Sequence, residues 1–484
     1  MCYYNKDEEK PDCVCVLQAF TLTVPSMPTG LKNRVILDAI HGLVHVDPSF
    51  WRVVDSPEVQ RLRWIKQTGL AYLVYPGAEH SRFAHAIGVY SLARRVFQHL
   101  RERTNYTGNL SPSYMGWELE QAFATAALCH DLGHTAFSHV LEPILLPAGF
   151  STHEDCTLAL LQGGAVKKQI QNIGCDLEQV VQLVRGVHWN DALCKLLSGH
   201  IDVDRWDYLM RDAASSGVVY GQYDLEWLIN SLSIYPDTER RPRLLLEVHR
   251  GLAAIEHFFT ARRSMYQQVY YHTTVRGAER LLRAVFERAS DPQRPAAYKE
   301  DTNEDVPECL CSFLRGDRPS IGEFLSTDDT TIIAALKRWG RSAKDPVLRF
   351  LAKCLLERRL FKEIRISGAK LEQARNVALA EIKSALARQK GTDLPVLDAE
   401  DQQALDYFVL LDECEFKPAA DFDGVLFDSG NSIPQTIAQI KEQMKEYVEP
   451  AFLTDQLSFT RKRLFVLSDV ADSVRTAIME VEKL

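Results

Sequence analysis

The sequence contains no long hydrophobic run. No stretch approaches the roughly 20 apolar residues that a membrane-spanning helix requires. The segment Met1 to Lys10 carries charged side chains where a secretory signal peptide would have an apolar core. The sequence therefore predicts a protein of the cytoplasm, or of the nucleus if its source is eukaryotic, with no membrane as a partner.

The sequence also has no excess of basic residues, and its cysteines do not form the pattern of a disulfide framework. The 56 Lys and Arg residues are outnumbered by 65 Asp and Glu, which gives a formal net charge of −9. Such a chain offers no general cationic field, so nucleic acid is not an expected partner. The 11 cysteines are odd in number and scattered, which indicates reduced thiols.

Helical periodicity dominates what is present, from Val53 to about Phe286. Short β-like runs enter only after about Arg365. We predict a mostly α fold, with an all-helical core and a smaller α+β C-terminal lobe. The expected units are an N-terminal arm (1–32), a core domain (33–290), a helical extension (291–368) and the α+β lobe (369–484).

An adjacent imidazole and carboxylate end a core-facing helical stripe. The apolar residues of Trp117 to Asp131 recur at helical spacing, and the same stripe reaches His130 and Asp131. A carboxylate buried there needs a cation, a metal or a proton. Any single histidine is more often structural, but three more follow closely: His134, His139 and His153.

A second helical segment, Arg82 to Leu100, carries His85 as the polar member of its apolar stripe. Arg82 lies one turn earlier on nearly the same face. A buried guanidinium there suits an anionic partner such as phosphate, and pairing with a surface acid is the alternative.

Two further segments repeat this arrangement. Asp204, Tyr208 and Asp212 recur at four-residue steps and therefore share one helix face, with Arg205 beside them. The segment Ala253 to Tyr271 places three more residues in register, although an aromatic column alone is more often core packing. These residues are Arg262, Tyr266 and Tyr270.

Two histidines and two carboxylates form a candidate ligand set: His85, His130, Asp131 and Asp204. This mixed nitrogen and oxygen set suits Fe, Mn, Zn, Ni or Mg, with open positions for water and a substrate oxygen. The cation would activate water, and His134 or His153 could donate a proton to the leaving oxygen. The inferred chemistry is metal-assisted hydrolysis of a phosphoester or phosphoanhydride.

At this point the motifs carry a family resemblance. His85, the run CHDLGHTAFSH and the run HIDVDRWDYLMRD are similar in order to the HD superfamily of metal-dependent phosphohydrolases. The runs LDAIHGLVHV, DSPEVQRLRWIKQTG, VYPGAEHSRFAHAIGV and LERRLFKEI closely resemble the deoxynucleoside triphosphate triphosphohydrolases, namely the HD domain of the SAM-and-HD-domain dNTPase and its shorter bacterial relatives. The resemblance runs from about Arg34 to Ile364 and includes no SAM domain.

The resemblance implies hydrolysis of a deoxynucleoside triphosphate to the deoxynucleoside and inorganic triphosphate, by attack at the α-phosphorus. It places Arg82, His134 and His139 at the α-phosphate and gives proton transfer to His153 with His134. The residues implied for the outer phosphates, the sugar and the surrounding pocket are Arg205, Tyr208, Arg262, Gln67, Asp212, Tyr270 and Tyr266. A second Mg²⁺ bound with the triphosphate is also implied.

The resemblance further implies a GTP or dGTP activator at a subunit interface, bound by Asp55, Gln60 and Arg63. Such an interface would make the protein a homodimer or homotetramer. Thr68, Tyr266 and Arg205 replace the family's usual leucine, histidine and lysine, so selectivity for deoxyribose stays open. Two alternatives also stay open: the same site could act on another nucleotide or phosphoester, or the chain could be a nucleotide-sensing scaffold without catalysis.

Overall fold

Helices form most of the described chain, which confirms the predicted mostly α class with a minor β component. The computed structural model describes residues 34–107, 112–295, 306–366, 370–388, 394–397, 401, 403–417, 425–429, 434–436, 439–440 and 457–482. The expected N-terminal arm lies outside these residues. Among the helices in these ranges, none is long and apolar enough to cross a membrane.

The helices of the N-terminal part surround the candidate ligands. They are α1 (Trp51–Val54), α2 (Pro57–Arg61), α3 (Arg82–Thr107), α4 (Trp117–Cys129), α5 (Glu142–Leu145), α6 (His153–Gly163), α7 (Ala165–Asn172), α8 (Leu177–Val184), α9 (Asp191–Leu197), α10 (Val203–Ser216), α11 (Leu225–Asn230), α12 (Val248–Met265) and α13 (Thr273–Ser290). A single π-helical turn, Tyr266–Tyr270, continues α12.

The later helices extend this body towards the C-terminus. They are α14 (Cys311–Leu314), α15 (Ile321–Leu325), α16 (Asp329–Ser342), α17 (Pro346–Leu356), α18 (Leu371–Arg388) and α19 (Ala471–Glu482). Short 3₁₀ turns lie at Leu62–Trp64, Gly69–Leu73, Pro112–Met115, Ser138–Val140, Glu308–Leu310, Ala404–Phe408 and Ser468–Val470.

Three small sheets accompany the helices within the described ranges. Their strands are β1 (Arg34–Asp38), β2 (Gly42–Val46), β3 (Leu232–Pro236), β4 (Pro242–Glu247), β5 (Lys362–Ile364), β6 (Val409–Phe416), β7 (Val425–Asp428) and β8 (Phe459–Val466). β1 and β2 form an antiparallel hairpin in which Arg34 pairs with Val46. β3 and β4 form a second hairpin, and β7 adds to β4 in parallel. β8 lies antiparallel between β5 and β6.

The strands β3 and β4 interrupt the region from Val53 to about Phe286 that periodicity predicted as helical, and β1 and β2 lie in the core domain that was predicted to be all-helical. The apolar run Leu244, Leu245 and Leu246 is buried along its whole length, so it lacks the alternation of a half-exposed strand. A buried strand of this kind cannot be told from a helix by periodicity. The β-like runs predicted after about Arg365 are confirmed by β6, β7 and β8.

Two large hydrophobic clusters fill the interior of the described part of the chain. The first unites α3, α4, α6, α8, α9, α10 and α12 and also takes in Val425 and Phe427 of β7. The second unites α13, α16, α17, α18 and the β5–β8–β6 sheet. Since α13 packs with the C-terminal elements, the two clusters meet near residue 270. The domain boundaries drawn from the sequence stay a prediction.

The close packing of α3 against α10 depends on Gly88. A Cβ atom added there would lie 1.9 Å from Oδ1 of Asp207 and 2.4 Å from Nη2 of Arg211. Both of these side chains are buried on α10. Only a residue without a side chain lets the two helices approach so closely.

We therefore expect Gly88→Ala to destabilise the protein by about 1–3 kcal/mol, the usual cost of overpacking a core. Thermal unfolding followed by circular dichroism measures the change. Gly163→Ala is the matched control, because a Cβ at this helical glycine meets nothing within 4 Å. Equal midpoints for both variants would show that α3 and α10 can move apart at little cost.

Candidate active site

The predicted metal ligands converge from three helices. His85 comes from α3, His130 caps the end of α4 and Asp204 lies in the first turn of α10, with one donor atom of each within 4.8 Å of the others. Nε2 of His85 lies 3.0 Å and Nε2 of His130 lies 3.5 Å from Oδ1 of Asp204. Asp131 completes the group, with Oδ1 3.3 Å from Nε2 of His130.

The donor set fits a divalent cation. Nδ1 of His85 lies 2.7 Å from a carboxylate oxygen of Asp207, and Nδ1 of His130 lies 2.8 Å from the carbonyl oxygen of Ala127. These contacts place the ring proton on Nδ1 and leave the lone pair of Nε2 facing the cluster. Both Nε2 atoms are buried and make no well-formed hydrogen bond, as expected of nitrogen atoms that await a metal.

The negative charges of the cluster also favour a bound cation. Burial lowers the pKa of His85, but the carboxylates of Asp204 and Asp207 outweigh this effect and raise it to about 10. Burial raises the pKa of Asp204, yet His130 and His85 hold it well below its usual range. The carboxylates are thus stable only beside a cation, and a divalent metal can take the place of protons on the two imidazoles.

Arg82 lies at the rim of this cluster. Its Nη1 donates to Oδ2 of Asp131 at 2.5 Å, and its Nε donates to Oγ of Ser138 at 3.0 Å. The guanidinium is buried, so the alternative of pairing with a surface acid is wrong. The positive charge is held beside the candidate metal ligands.

A second cluster contains the three remaining predicted histidines. The rings of His134 and His153 stack with their centroids 3.9 Å apart, and the ring centroid of His139 lies 5.0 Å from that of His134. Glu142 accepts hydrogen bonds from Nδ1 of His139 at 2.9 Å and from Nδ1 of His153 at 3.1 Å. The sequence reasoning missed Glu142, whose only signal was its position three residues after His139.

The two stacked imidazoles have opposite protonation preferences. Burial, helped by the guanidinium of Arg82, lowers the pKa of His134 well below its usual value. Burial also lowers the pKa of His153, but the hydrogen bond to Glu142 and the charge of Asp131 outweigh it and raise the pKa. His134 is therefore the neutral ring, and His153 is the better proton donor.

The segment between these histidines has a strained backbone. Phe137 and Ser138 both adopt left-handed conformations, with φ of 52° and 53°, which cost of order 1–3 kcal/mol per non-glycine residue. Oδ1 of Asp329, on α16, accepts the N–H of Phe137 at 2.7 Å. Arg61 donates to the carbonyl oxygen of His134 at 2.9 Å. The helical extension thus holds the segment that presents Ser138 to Arg82.

Both clusters open into one cavity of about 730 Å³. The predicted site residues that line it are Gln67, Arg82, Asp131, His134, His139, His153, Asp204, Arg205, Tyr208, Asp212, Tyr266 and Tyr270. His85 and His130 do not line the cavity, but both contact Asp204, which does. The cavity is within the size range of small-molecule sites.

The residues expected at the sugar and the phosphates are partly engaged with one another. The hydroxyl of Tyr270 donates to Oδ2 of Asp212 at 2.6 Å, and His80 lies 2.7 Å from the other oxygen. Arg205 forms an ion pair with Asp202 at the start of α10. Buried Oε1 of Gln67 and Oγ1 of Thr68 have no hydrogen-bond partner, so a ligand can supply one.

Arg262 does not line the cavity. Its guanidinium carbon lies 5.6 Å from the ring centroids of Tyr266, which lines the cavity, and of Phe416. Its role at the outer phosphates stays a prediction.

The three residues assigned to an activator lie elsewhere on the surface. Arg63 donates to Oε1 of Gln60 at 2.8 Å and stacks on Phe83 at 3.5 Å. Asp55 is exposed and lies 3.9 Å from Arg34. None of the three lines the active-site cavity, and their role stays a prediction.

No protein-family model matches the chain. Over 339 residues, 69% of this chain, it is 31% identical to the uncharacterized protein YwfO of Bacillus subtilis, of which the match covers 73%. It is 29% identical over 291 residues to the deoxynucleoside triphosphate triphosphohydrolase SAMHD1 of Homo sapiens, covering 53% of this chain and 45% of that protein. The chain belongs to the HD-domain dNTPase-like family.

The solved structures agree. A phosphohydrolase from Bacteroides thetaiotaomicron is similar to 90% of this chain over 99% of its own, with a TM-score of 0.70 and 27% identity. The HD-domain chain spans less than half the length of the triphosphohydrolase SAMHD1 that it matches. The shared fold and the His/Asp cluster identify a phosphohydrolase-type protein with a site for a divalent metal ion.

Asp204→Ala should remove bound metal, because it deletes the carboxylate that both Nε2 atoms approach. Metal per chain, measured by mass spectrometry after loading with Mn²⁺ and desalting, is expected to fall at least tenfold. Asp317→Ala, at an exposed aspartate with only a 3.9 Å ion pair, should keep the wild-type content. Full occupancy in the Asp204 variant would remove this residue from the ligand set.

Proposed function

We propose that this protein hydrolyses deoxynucleoside triphosphates to the deoxynucleoside and inorganic triphosphate. The observation that carries the proposal is the shared cavity, in which the candidate metal ligands, Arg82, the histidine cluster and the residues expected at the sugar meet. The match to curated deoxynucleoside triphosphate triphosphohydrolases supports the choice of substrate.

The metal-ligand cluster and Arg82 define the reacting end of the cavity. A divalent cation held by the four ligands would lower the pKa of water and polarise a phosphoryl oxygen, with a second Mg²⁺ accompanying the triphosphate. Arg82 presents a fixed positive charge beside Asp131, where it would stabilise charge that develops on the α-phosphate. Arg205 and Tyr208 would contact the outer phosphates, and Arg262 would add charge behind Tyr266.

Proton transfer falls to the histidine cluster. His153 lies against His134, and Glu142 orients its ring and favours its protonated form. In this proposal His153 donates the proton to the leaving 5′ oxygen of the deoxynucleoside, and neutral His134 relays protons. His139 shares Glu142 and would contact the α-phosphate.

Asp212, Tyr270 and Gln67 form the end of the cavity that would hold the sugar. The hydrogen bond from Tyr270 to Asp212 fixes both side chains, so they present a preorganised surface. The hydroxyl of Thr68 is buried and has no hydrogen-bond partner. It would accept a hydrogen bond from a ribose 2′-hydroxyl or donate one to it. This feature favours a second candidate, in which ribonucleoside triphosphates are substrates of the same site.

A product assay distinguishes the candidates. Purified protein is supplied with each dNTP and each NTP in Mn²⁺ or Mg²⁺, with and without GTP, and the products are separated by ion-exchange chromatography. We expect deoxynucleoside and inorganic triphosphate, with NTPs spared. Equal turnover of NTPs would assign Thr68 to ribose acceptance. Orthophosphate as the product would replace the triphosphohydrolase proposal with another phosphoesterase activity, and a protein that binds nucleotides without turnover would be a sensor.

We also propose that GTP or dGTP activates a homodimer or homotetramer through Asp55, Gln60 and Arg63. The support is that Asp55 and Arg63 are exposed and that Arg63 contacts the half-buried Gln60, so these side chains are accessible to a nucleotide bound on the surface. Light scattering coupled to gel filtration, run with and without GTP, measures the mass. A monomer under both conditions would contradict this proposal.

His153→Ala should retain bound metal but lower kcat on the order of a hundredfold or more, since a positioned general acid contributes ~10²–10⁴. Metal content and single-turnover rates are measured on the same preparation. His45→Ala, at an exposed histidine outside the cavity, is the control and should match the wild type. An unchanged rate in the His153 variant would make it a structural histidine.

A further inference from the structure

A buried polar network connects the β1–β2 hairpin to the candidate metal ligand His85. Its centre is Asp207 on α10, whose Oδ2 lies 2.7 Å from Nδ1 of His85 and whose Oδ1 lies 2.7 Å from Nε2 of His41. Arg211, one turn further along α10, donates to both oxygens of the same carboxylate at 2.8 Å and 2.9 Å. All four hydrogen bonds end on one side chain.

Arg211 carries the network into the hairpin. Its Nη1 and Nη2 donate to the two oxygens of Asp38 at 2.8 Å and 3.1 Å. Asp38 also accepts the backbone N–H groups of Ile40 and His41, each at 2.9 Å. One carboxylate therefore fixes both the hairpin turn that carries His41 and the guanidinium that holds Asp207.

Water does not compete for these contacts. Asp207 and His85 are fully buried, and Arg211, Asp38 and the side chain of His41 are at most 7% exposed. Two carboxylates face one guanidinium, so the imidazole N–H groups of His41 and His85 supply the remaining donors. In such an interior each bond is strong, and removing one partner leaves a buried polar group unsatisfied.

The geometry dictates the state of His85. Because Nδ1 donates to Asp207, the lone pair of Nε2 points towards Asp204, Asp131 and His130. A carboxylate behind a metal-binding imidazole fixes its tautomer and ring orientation and raises its basicity. If Asp207 turned away, His85 would lose both the orientation and the tautomer that bind a metal.

We propose that the β1–β2 hairpin supports the metal site. Asp38 and His41 are positioning residues that act through Arg211 and Asp207 to fix the ring orientation and tautomer in which His85 binds the cation. This proposal rests on the metal-binding part of the proposed function and not on the identity of the substrate.

The test compares His41→Gln and Asp38→Asn with His45→Gln, a control at an exposed histidine on the same hairpin. Each purified protein is stripped of metal, and Mn²⁺ affinity is measured by electron paramagnetic resonance of the free ion. We expect the two network variants to bind Mn²⁺ about 10–100-fold more weakly, the usual effect of losing a partner of a metal ligand. His45→Gln should bind as the wild type does.

A second measurement separates positioning from stability. Thermal unfolding of each metal-free variant reports whether the hairpin supports the fold alone. A lower midpoint with wild-type Mn²⁺ affinity in the folded protein would overturn the proposal. If Asp38→Asn does not fold, His41→Gln decides the matter, because His41 contributes a single hydrogen bond at the edge of the network. Since no nucleotide is present, the result is independent of whether dNTPs are hydrolysed.

Discussion

The burial of carboxylates is the constraint on which the rest of the structure depends. Asp131, Asp204 and Asp207 each have a carboxylate oxygen between 2.7 Å and 3.8 Å from a ring nitrogen of His85. The helices around them pack mostly through apolar side chains. A buried carboxylate is stable only beside donors and cations. The fold meets this requirement by bringing histidines from α3 and α4, arginines from α3 and α10, and a hairpin to the same point.

Helical periodicity was enough to predict the candidate metal ligands. It put His85, His130, Asp131 and Asp204 on inward faces, and the structure brings all four together. The same reasoning could not find Asp207 or Glu142, because each acts through a histidine that is distant in sequence or belongs to another element. Local spacing predicts which way a side chain points, and not which side chain lies opposite.

The fold was predictable to a similar depth. The helical segments predicted from Arg82 to Leu100 and from Trp117 to Asp131 were recovered, while the hairpin β3–β4 was missed because its leucines are buried on both sides. The left-handed pair Phe137 and Ser138 was also beyond local reasoning, since neither residue type favours that conformation. Contacts from α2 and α16 stabilise it, and such distant contacts leave no local pattern.

The parallel pairing of β7 with β4 has a consequence for the order of events during synthesis. β4 ends at Glu247, and its partner begins at Val425, so about 180 residues are translated before that edge of the first hydrophobic cluster can be covered. At the usual ~5–20 residues per second, the nascent chain exposes Leu244 and Leu246 for many seconds. Until β7 is made, the emerging protein carries an open strand edge at β4, of the kind that can pair with a strand of another chain.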